Sequence, residues 1–257
     1  MSVIILIPAR YASSRYPGKP LVMLKGPDGD KTLIQRTWET GMAVPGVAQV
    51  LVATDDDRIA DCVRGFGGEV VMTSEDCANG TERCADAIDR MGAAPEIVVN
   101  LQGDAPLTPP WFLEDLIAGL RARPDLGVAT PVLKCDAETY RHFREDRAAG
   151  RVGGTTAVFT GDGRALYFSK EVIPYLPEGA QTDPPVFHHV GVYAYRPAAL
   201  ARYVGWDAGP LERNEGLEQL RFLENVEDVL CVEVEGRGRV FWELNNPVDV
   251  ARIESVL

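Results

Sequence analysis

The sequence predicts an α/β fold with a mostly parallel sheet covered on both faces. Two observations predict it. Short β-branched runs alternate along the chain with stretches whose apolar residues recur at helical spacing, which is the pattern of successive β-α units. Three of these runs end in polar clusters, at 8–19, 54–56 and 102–104, and open parallel sheets bind ligands beyond the carboxyl ends of their strands.

The elements follow in order. Residues 3–7, Val-Ile-Ile-Leu-Ile, form an unbroken apolar run that stops at Pro8, the signature of a buried strand. After the loop 8–20, residues 31–42 carry Leu33, Ile34, Thr37, Trp38 and Met42 at helical spacing, and 47–54 read as a second strand. Residues 57–66 are a helix closed by Gly67-Gly68, and 69–72 a third strand. Asn79-Gly80-Thr81-Glu82-Arg83 opens a helix running to Met91, and 96–101 is a very apolar strand. A helix over 109–121, a strand over 128–133 and a polar helix over 136–149 come next.

Residues 151–189 depart from the pattern, with Gly153-Gly154, Gly161-Asp162-Gly163 and prolines at 174, 177, 184 and 185. Alternation over 155–159 and 165–168 around the Gly-Asp-Gly turn predicts a β-hairpin, an excursion of the kind that builds a lid or a subunit contact. Then come a strand over 189–195, a short helix over 197–203, a stronger helix over 211–223 and late strands over 229–234 and 240–242. Asn245-Asn246-Pro247 caps a final helix. No repeat, low-complexity tract or linker interrupts the series, so 1–257 reads as a single domain.

The formal net charge of −12 on 257 residues argues against nucleic acid or an anionic membrane as the main partner. No run approaches the roughly 20 apolar residues of a membrane span. Five scattered cysteines without CxxC spacing fit neither a disulfide framework nor a zinc site, and a cytoplasmic protein is expected.

Against that acidity, the first 27 residues hold four cations and no acid before Asp28. A basic loop in an acidic chain points to an anionic ligand, most simply a triphosphate. The loop is not a P-loop, because the G-x-x-x-x-G-K-[ST] spacing is absent. Arg10 and Lys19 can hold outer phosphates while backbone amides near Ala9 and Ser13 contact a nucleotide; a solvated loop with ordinary surface cations is the other reading. Asp104, after a buried strand and before Pro106, suits a hard cation bridging phosphates, although a lone Asp after a strand is more often a turn or cap residue. His189 reads as a core residue or a site residue, and His188 and His142 as structural. Asp55-Asp56-Asp57 contains a D-x-D, but its place at a helix start is explained by capping.

Several motifs occur in the order found in the CMP-Kdo synthetases, the 3-deoxy-manno-octulosonate cytidylyltransferases. They are Pro8-Ala9-Arg10-x-x-Ser13-x-Arg15-x-Pro17-Gly18-Lys19-Pro20, Ala53-Thr54-Asp55, Gly80-Thr81-Glu82-Arg83 and Gln102-Gly103-Asp104-x-Pro106. Leu166-Tyr167-Phe168-Ser169, His189-x-Gly191-x-Tyr193 and Leu217-Glu218-Gln219-Leu220-Arg221 complete the series. The chain resembles that family over nearly its whole length. The resemblance implies a three-layer, Rossmann-like nucleotidyltransferase fold and transfer of CMP from CTP to Kdo or a close 3-deoxy-2-ulosonate. Pyrophosphate is released, with Mg2+ at the site, and the product feeds lipopolysaccharide or capsule synthesis. It implies a homodimer, formed here through 151–189. By position it assigns Arg10 and Lys19 to the triphosphate, Ser13 and Arg83 to the nucleotide, and Asp104 to magnesium. Gln102, His189, Tyr193, Glu218 and Gln219 fall to the sugar.

Three departures from the family pattern bear on the acceptor. Asn245 stands where the family has its second magnesium-binding Asp, Ala105 where it has Glu, and Lys170 where it has Arg. An amide brings no charge to a metal, and Lys loses the bidentate grip of Arg. An amino-substituted octulosonate, a sialic-acid-like sugar and CTP binding with weak turnover are therefore the alternatives to Kdo transfer.

Overall fold

A computed structural model describes residues 2–12, 16–152, 154–177, 179, 182–239, 243–244 and 246–257. Strand β1 (Val3–Ala9) is buried along its whole length, as seven residues without a charge require when both sheet faces are covered. A 3-10 turn at Lys19–Leu21 and a small hairpin, β2 (Met23–Leu24) with β3 (Lys31–Thr32), lead to α1 (Leu33–Met42). Thr32 caps α1 by accepting the Gln35 amide. Then follow β4 (Gln49–Thr54), α2 (Asp57–Gly65), β5 (Glu69–Met72), α3 (Gly80–Met91), β6 (Ile97–Leu101), α4 (Pro110–Ala122) and β7 (Val128–Lys134). The second half comprises α5 (Ala137–Ala148), β8 (Thr155–Phe159), β9 (Ala165–Ser169), β10 (Phe187–His189), β11 (Val192–Tyr195), α6 (Pro197–Tyr203), α7 (Pro210–Glu215), α8 (Leu220–Glu224), β12 (Val229–Val234) and α9 (Asp249–Glu254).

The strands form one sheet in the order β5-β4-β1-β6-β11-β7-β10-β8-β9, with β12 also on β7. Its central part, β5-β4-β1-β6, is parallel, as is β12 on β7, and β11 joins the two parts antiparallel. Alternate residues of β1 face two cores. Ile5 and Ile7 pack with α1, α2 and α4, whereas Ile4 and Leu6 pack with α3, α6 and α8. The result is the three-layer α/β fold.

The structure revises several element boundaries. The strand expected over 189–195 is two strands. Around Val190-Gly191 the chain leaves the β7–β8 side, where β10 pairs, and enters between β6 and β7 as β11. The sheet thus forks at His189. The helix expected over 211–223 is broken at Gly216, which closes α7 with φ 62°, a conformation that costs little only for glycine. The hairpin β8–β9 forms around 161–163, but it extends the main sheet through β10 rather than leaving it. The last helix begins at Asp249, whose carboxylate accepts the Asn246 amide, so Pro247 precedes it. Residues 240–242, Asn245 and Ser13 lie outside the described residues.

Candidate active site

The order of strands reverses at β1, which lies between β4 and β6. The carboxyl ends of β1 and β4 are in register, Ala9 opposite Thr54, so the loops following these strands and β6 leave the same edge of the sheet. This is where an open α/β sheet forms a crevice. Across it Nζ of Lys19 lies 2.6 Å from Oδ2 of Asp104. Arg10 is exposed and has no ion-pair partner among the described residues. One side of the crevice therefore offers two cations and a carboxylate.

Arg83 is nearly fully buried and bonded within the protein. It donates to Thr73 Oγ1 at 2.6 Å, to the Ser74 carbonyl at 3.2 Å and to Asp55 Oδ2 at 3.1 Å. It thereby ties α3 to the ends of β4 and β5, and Asp55 is engaged there. Asp56, the middle residue of the Asp55-Asp56-Asp57 run, caps α2 by accepting the Arg58 amide, and Asp57 lies in the first turn.

On the other side Glu218 is the hub. Its Oε2 accepts the Thr81 amide at 2.9 Å, in the first turn of α3, and its Oε1 accepts Nε2 of Gln102 at 3.0 Å. Burial, with a smaller contribution from Glu212, raises its carboxyl above the ordinary range, and the Thr81 and Gln102 bonds oppose that. Gly80 admits this arrangement, because a Cβ there would stand 2.8 Å from Gln102 Nε2. Next in sequence, Gln219 accepts from the Tyr193 hydroxyl at 3.0 Å, and burial raises the Tyr193 phenol. Gln102, Glu218, Gln219 and Tyr193 thus form one contiguous polar wall.

His189 lies behind that wall. Its ring packs edge-on to Phe168 and 5.7 Å from Tyr193, and Nε2 is 2.9 Å from Thr130 Oγ1. Thr130 also lies within hydrogen-bond distance of the Val192 carbonyl. A hydroxyl that gives its one hydrogen to that carbonyl takes a hydrogen from the imidazole. Burial pushes His189 down to about 3, so at neutral pH it is an uncharged ring.

Three further residues belong to the neighbourhood. Arg221, buried two residues after Gln219, makes a bidentate pair with Glu212 and a third bond to Glu82 in α3; it was visible only as the end of a motif. Lys170 directs Nζ toward Gly216 and has no ion-pair partner among the described residues, while its amide donates to Glu215. Asn100 in β6 is fully buried, and neither side-chain atom has a partner among the described residues, a condition that costs about 1–3 kcal/mol per atom. Its only sequence signal was an amide inside an apolar strand.

Among the described residues no group of three or more His, Cys, Asp and Glu side chains could hold a metal ion. None of their helices is long and apolar enough to cross a membrane.

Residues 4–229 match the model of a protein family described as cytidylyltransferase. A 3-deoxy-manno-octulosonate cytidylyltransferase of Maricaulis maris (strain MCS10) is 46% identical over 260 aligned positions, covering 100% of this chain and 97% of that protein. An 8-amino-3,8-dideoxy-manno-octulosonate cytidylyltransferase of Shewanella sediminis (strain HAW-EB3) is 43% identical over 232 positions, with 88% and 87% covered. Among solved structures, a CMP:2-keto-3-deoxy-manno-octonic acid synthetase complexed with CTP is similar with a TM-score of 0.84 at 35% identity, over 99% of this chain and 98% of that one.

Proposed function

The chain belongs to the cytidylyltransferase family, and from that premise we propose that it transfers CMP from CTP to the anomeric hydroxyl of 3-deoxy-D-manno-octulosonate (Kdo). The hydroxyl oxygen bonds to the α-phosphorus, the bond from that phosphorus to the β-phosphate oxygen breaks, and pyrophosphate leaves with the electron pair. The observation that best supports this reading is the pairing of two unlike walls in one crevice. Arg10, Lys19 and Asp104 suit a polyphosphate, and Gln102, Glu218, Gln219 and Tyr193 suit a polyol.

Such a reaction needs alignment and charge neutralisation more than a covalent intermediate. Lys19 and Arg10 neutralise the phosphates, and backbone amides at Ala9 and Ser13 orient the nucleotide. Arg83, bonded within the protein, holds the α3 end that borders the nucleotide. Glu218 and Gln219 accept hydrogens from the sugar hydroxyls, and His189 backs Tyr193.

Magnesium fits the donor set as an ion carried by the nucleotide. One carboxylate plus phosphate oxygens and waters is a usual magnesium shell, and Asp104 supplies that carboxylate without a protein cage. The ion neutralises charge on the phosphates when bound. Asn245 is the second protein donor proposed for it.

The exposed Leu166 and Tyr175, both between residues 151 and 189, support a homodimer through that segment. Free cysteines and a CTP substrate agree with a cytoplasmic enzyme of lipopolysaccharide or capsule synthesis. The name of the Shewanella relative supports a second reading of the acceptor, the 8-amino octulosonate.

Pyrophosphate release from CTP, Mg2+ and Kdo tests the proposal, run beside the 8-amino sugar and a sialic acid. Release with Kdo at the highest kcat/KM is expected. A preference for another acceptor replaces the Kdo assignment, and no release with any ulosonate overturns transferase activity.

A further inference from the structure

Asn100 is the most anomalous polar residue of the interior. It lies in β6 with Oδ1 and Nδ2 both unbonded among the described residues, where a leucine would serve folding better. Nothing in the reading above uses it.

Its neighbours identify its surroundings. Across the antiparallel ladder its register partner is Tyr193, whose hydroxyl is bonded to Gln219. Gly80 stands close to it, since a Cβ there would approach Asn100 Nδ2 at 3.2 Å as well as Gln102. Nε2 of Gln219, whose Oε1 takes that Tyr193 hydroxyl bond, is also buried and without a partner among the described residues. Asn100 thus holds one unsatisfied donor and one unsatisfied acceptor beside Gly80, Gln102 and Tyr193.

We propose that Asn100 is a specificity-determining residue that forms the floor of the acceptor pocket and binds a sugar hydroxyl. This rests on the acceptor reading above. A hydroxyl both donates and accepts, so it can satisfy Oδ1 and Nδ2 together. A carboxylate can satisfy only the donor, and an ammonium only the acceptor. The floor is uncovered when Gln102 exchanges its bond to Glu218 for one to the sugar. A buried amide left unpaired by a deoxygenated analogue makes such a pocket strongly selective.

The test is Asn100→Leu, which keeps the branched heavy-atom skeleton and removes the polar atoms, with Asn100→Ser as a smaller second variant. Pyrophosphate release gives KM for Kdo, direct titration gives CTP affinity, and thermal unfolding gives Tm. The expected result is an unchanged or higher Tm, CTP affinity within about twofold of wild type, and KM for Kdo raised at least about tenfold, with serine intermediate. An unchanged KM in both variants overturns the proposal, as does a lower Tm with parallel loss of CTP binding, which marks a folding role. Wild-type protein that turns over no ulosonate overturns the acceptor reading, and this inference with it, before any variant is compared. Active wild type with indifferent variants overturns only the role of Asn100.

Discussion

Nζ of Lys19 lies 2.6 Å from Oδ2 of Asp104, joining the loop after β1 to the loop after β6. Both side chains are partly exposed, so the pair contributes about 1 kcal/mol or less to folding. In the proposed reaction the pair has a functional part: the two charges neutralise each other until nucleotide arrives, and each then turns to a ligand of opposite sign.

Asp104→Asn separates those roles. It keeps the size and removes the charge, so Tm is expected to stay within about 3 °C of wild type. Pyrophosphate release is expected to fall about 100-fold or more, the scale for losing a group that organises transition-state charge, and half-saturation by Mg2+ to move upward. Steady-state kinetics across a magnesium titration measures both. Activity within a few-fold of wild type contradicts the assignment.

Gly80→Ala tests the join between α3 and the proposed acceptor wall. The added methyl meets Gln102 Nε2 at 2.8 Å and Asn100 Nδ2 at 3.2 Å, so the Gln102 amide must shift from its place. Gly80 has no positive φ, so backbone strain does not confuse the result. KM for the acceptor is expected to rise at least about fivefold while CTP affinity holds, because the displaced Gln102 is no longer placed to bond the sugar, a loss of roughly 1 kcal/mol. Equal loss for both substrates argues for a general collapse of the α3 end.

The β-branched runs and the turns between them made the parallel core legible, because a strand buried on both faces has few acceptable compositions. The fork at Val190-Gly191 was not, since β10 and β11 look alike locally and differ only in the strands that flank them. Gly216 carried a legible signal, an interior glycine in a helical stretch, and the leucine stripe outweighed it. Motifs brought Gln102, Glu218, Gln219 and Tyr193 forward but could not reveal their mutual hydrogen bonds. Nor could they reveal that Arg83 is bonded to Asp55, Thr73 and Ser74. Asn100 stayed hidden because only packing distinguishes an unpartnered amide from a satisfied one.

His189 predicts a specific acid sensitivity. Its folded-state value, about 3, lies below the ordinary 6.5 because of burial; His188 behaves alike, at about 4. The unfolded chain therefore binds protons that the native protein does not. Stability is fully present above pH 6.5 and is lost as pH falls toward 3, by up to about 1.4 kcal/mol per pH unit for each ring. His189→Gln keeps a donor for Thr130 and removes one titration. Urea unfolding at pH 5, 6 and 7 is expected to show a shallower pH slope in the variant. Parallel slopes exclude His189 as the source.

Arg221 organises the segment that carries Glu218. Its guanidinium bonds both oxygens of Glu212 at 2.7 Å, reaches Glu82 Oε1 at 2.9 Å and lies 4.2 Å from the Tyr203 ring centroid. Arg221→Met leaves Glu212 buried and unpaired, which costs about 3–5 kcal/mol and lowers Tm by roughly 10 °C at this chain length. Loss of stability alone does not establish a positioning role. The double variant Arg221→Met with Glu212→Leu replaces the pair by apolar volume, and such replacements commonly restore stability. If the clamp orients Glu218 and Gln219, the double variant regains Tm yet keeps a raised acceptor KM, because no bond to Glu82 re-forms between α3 and α8. Recovery of Tm and KM together would reduce Arg221 to a folding residue.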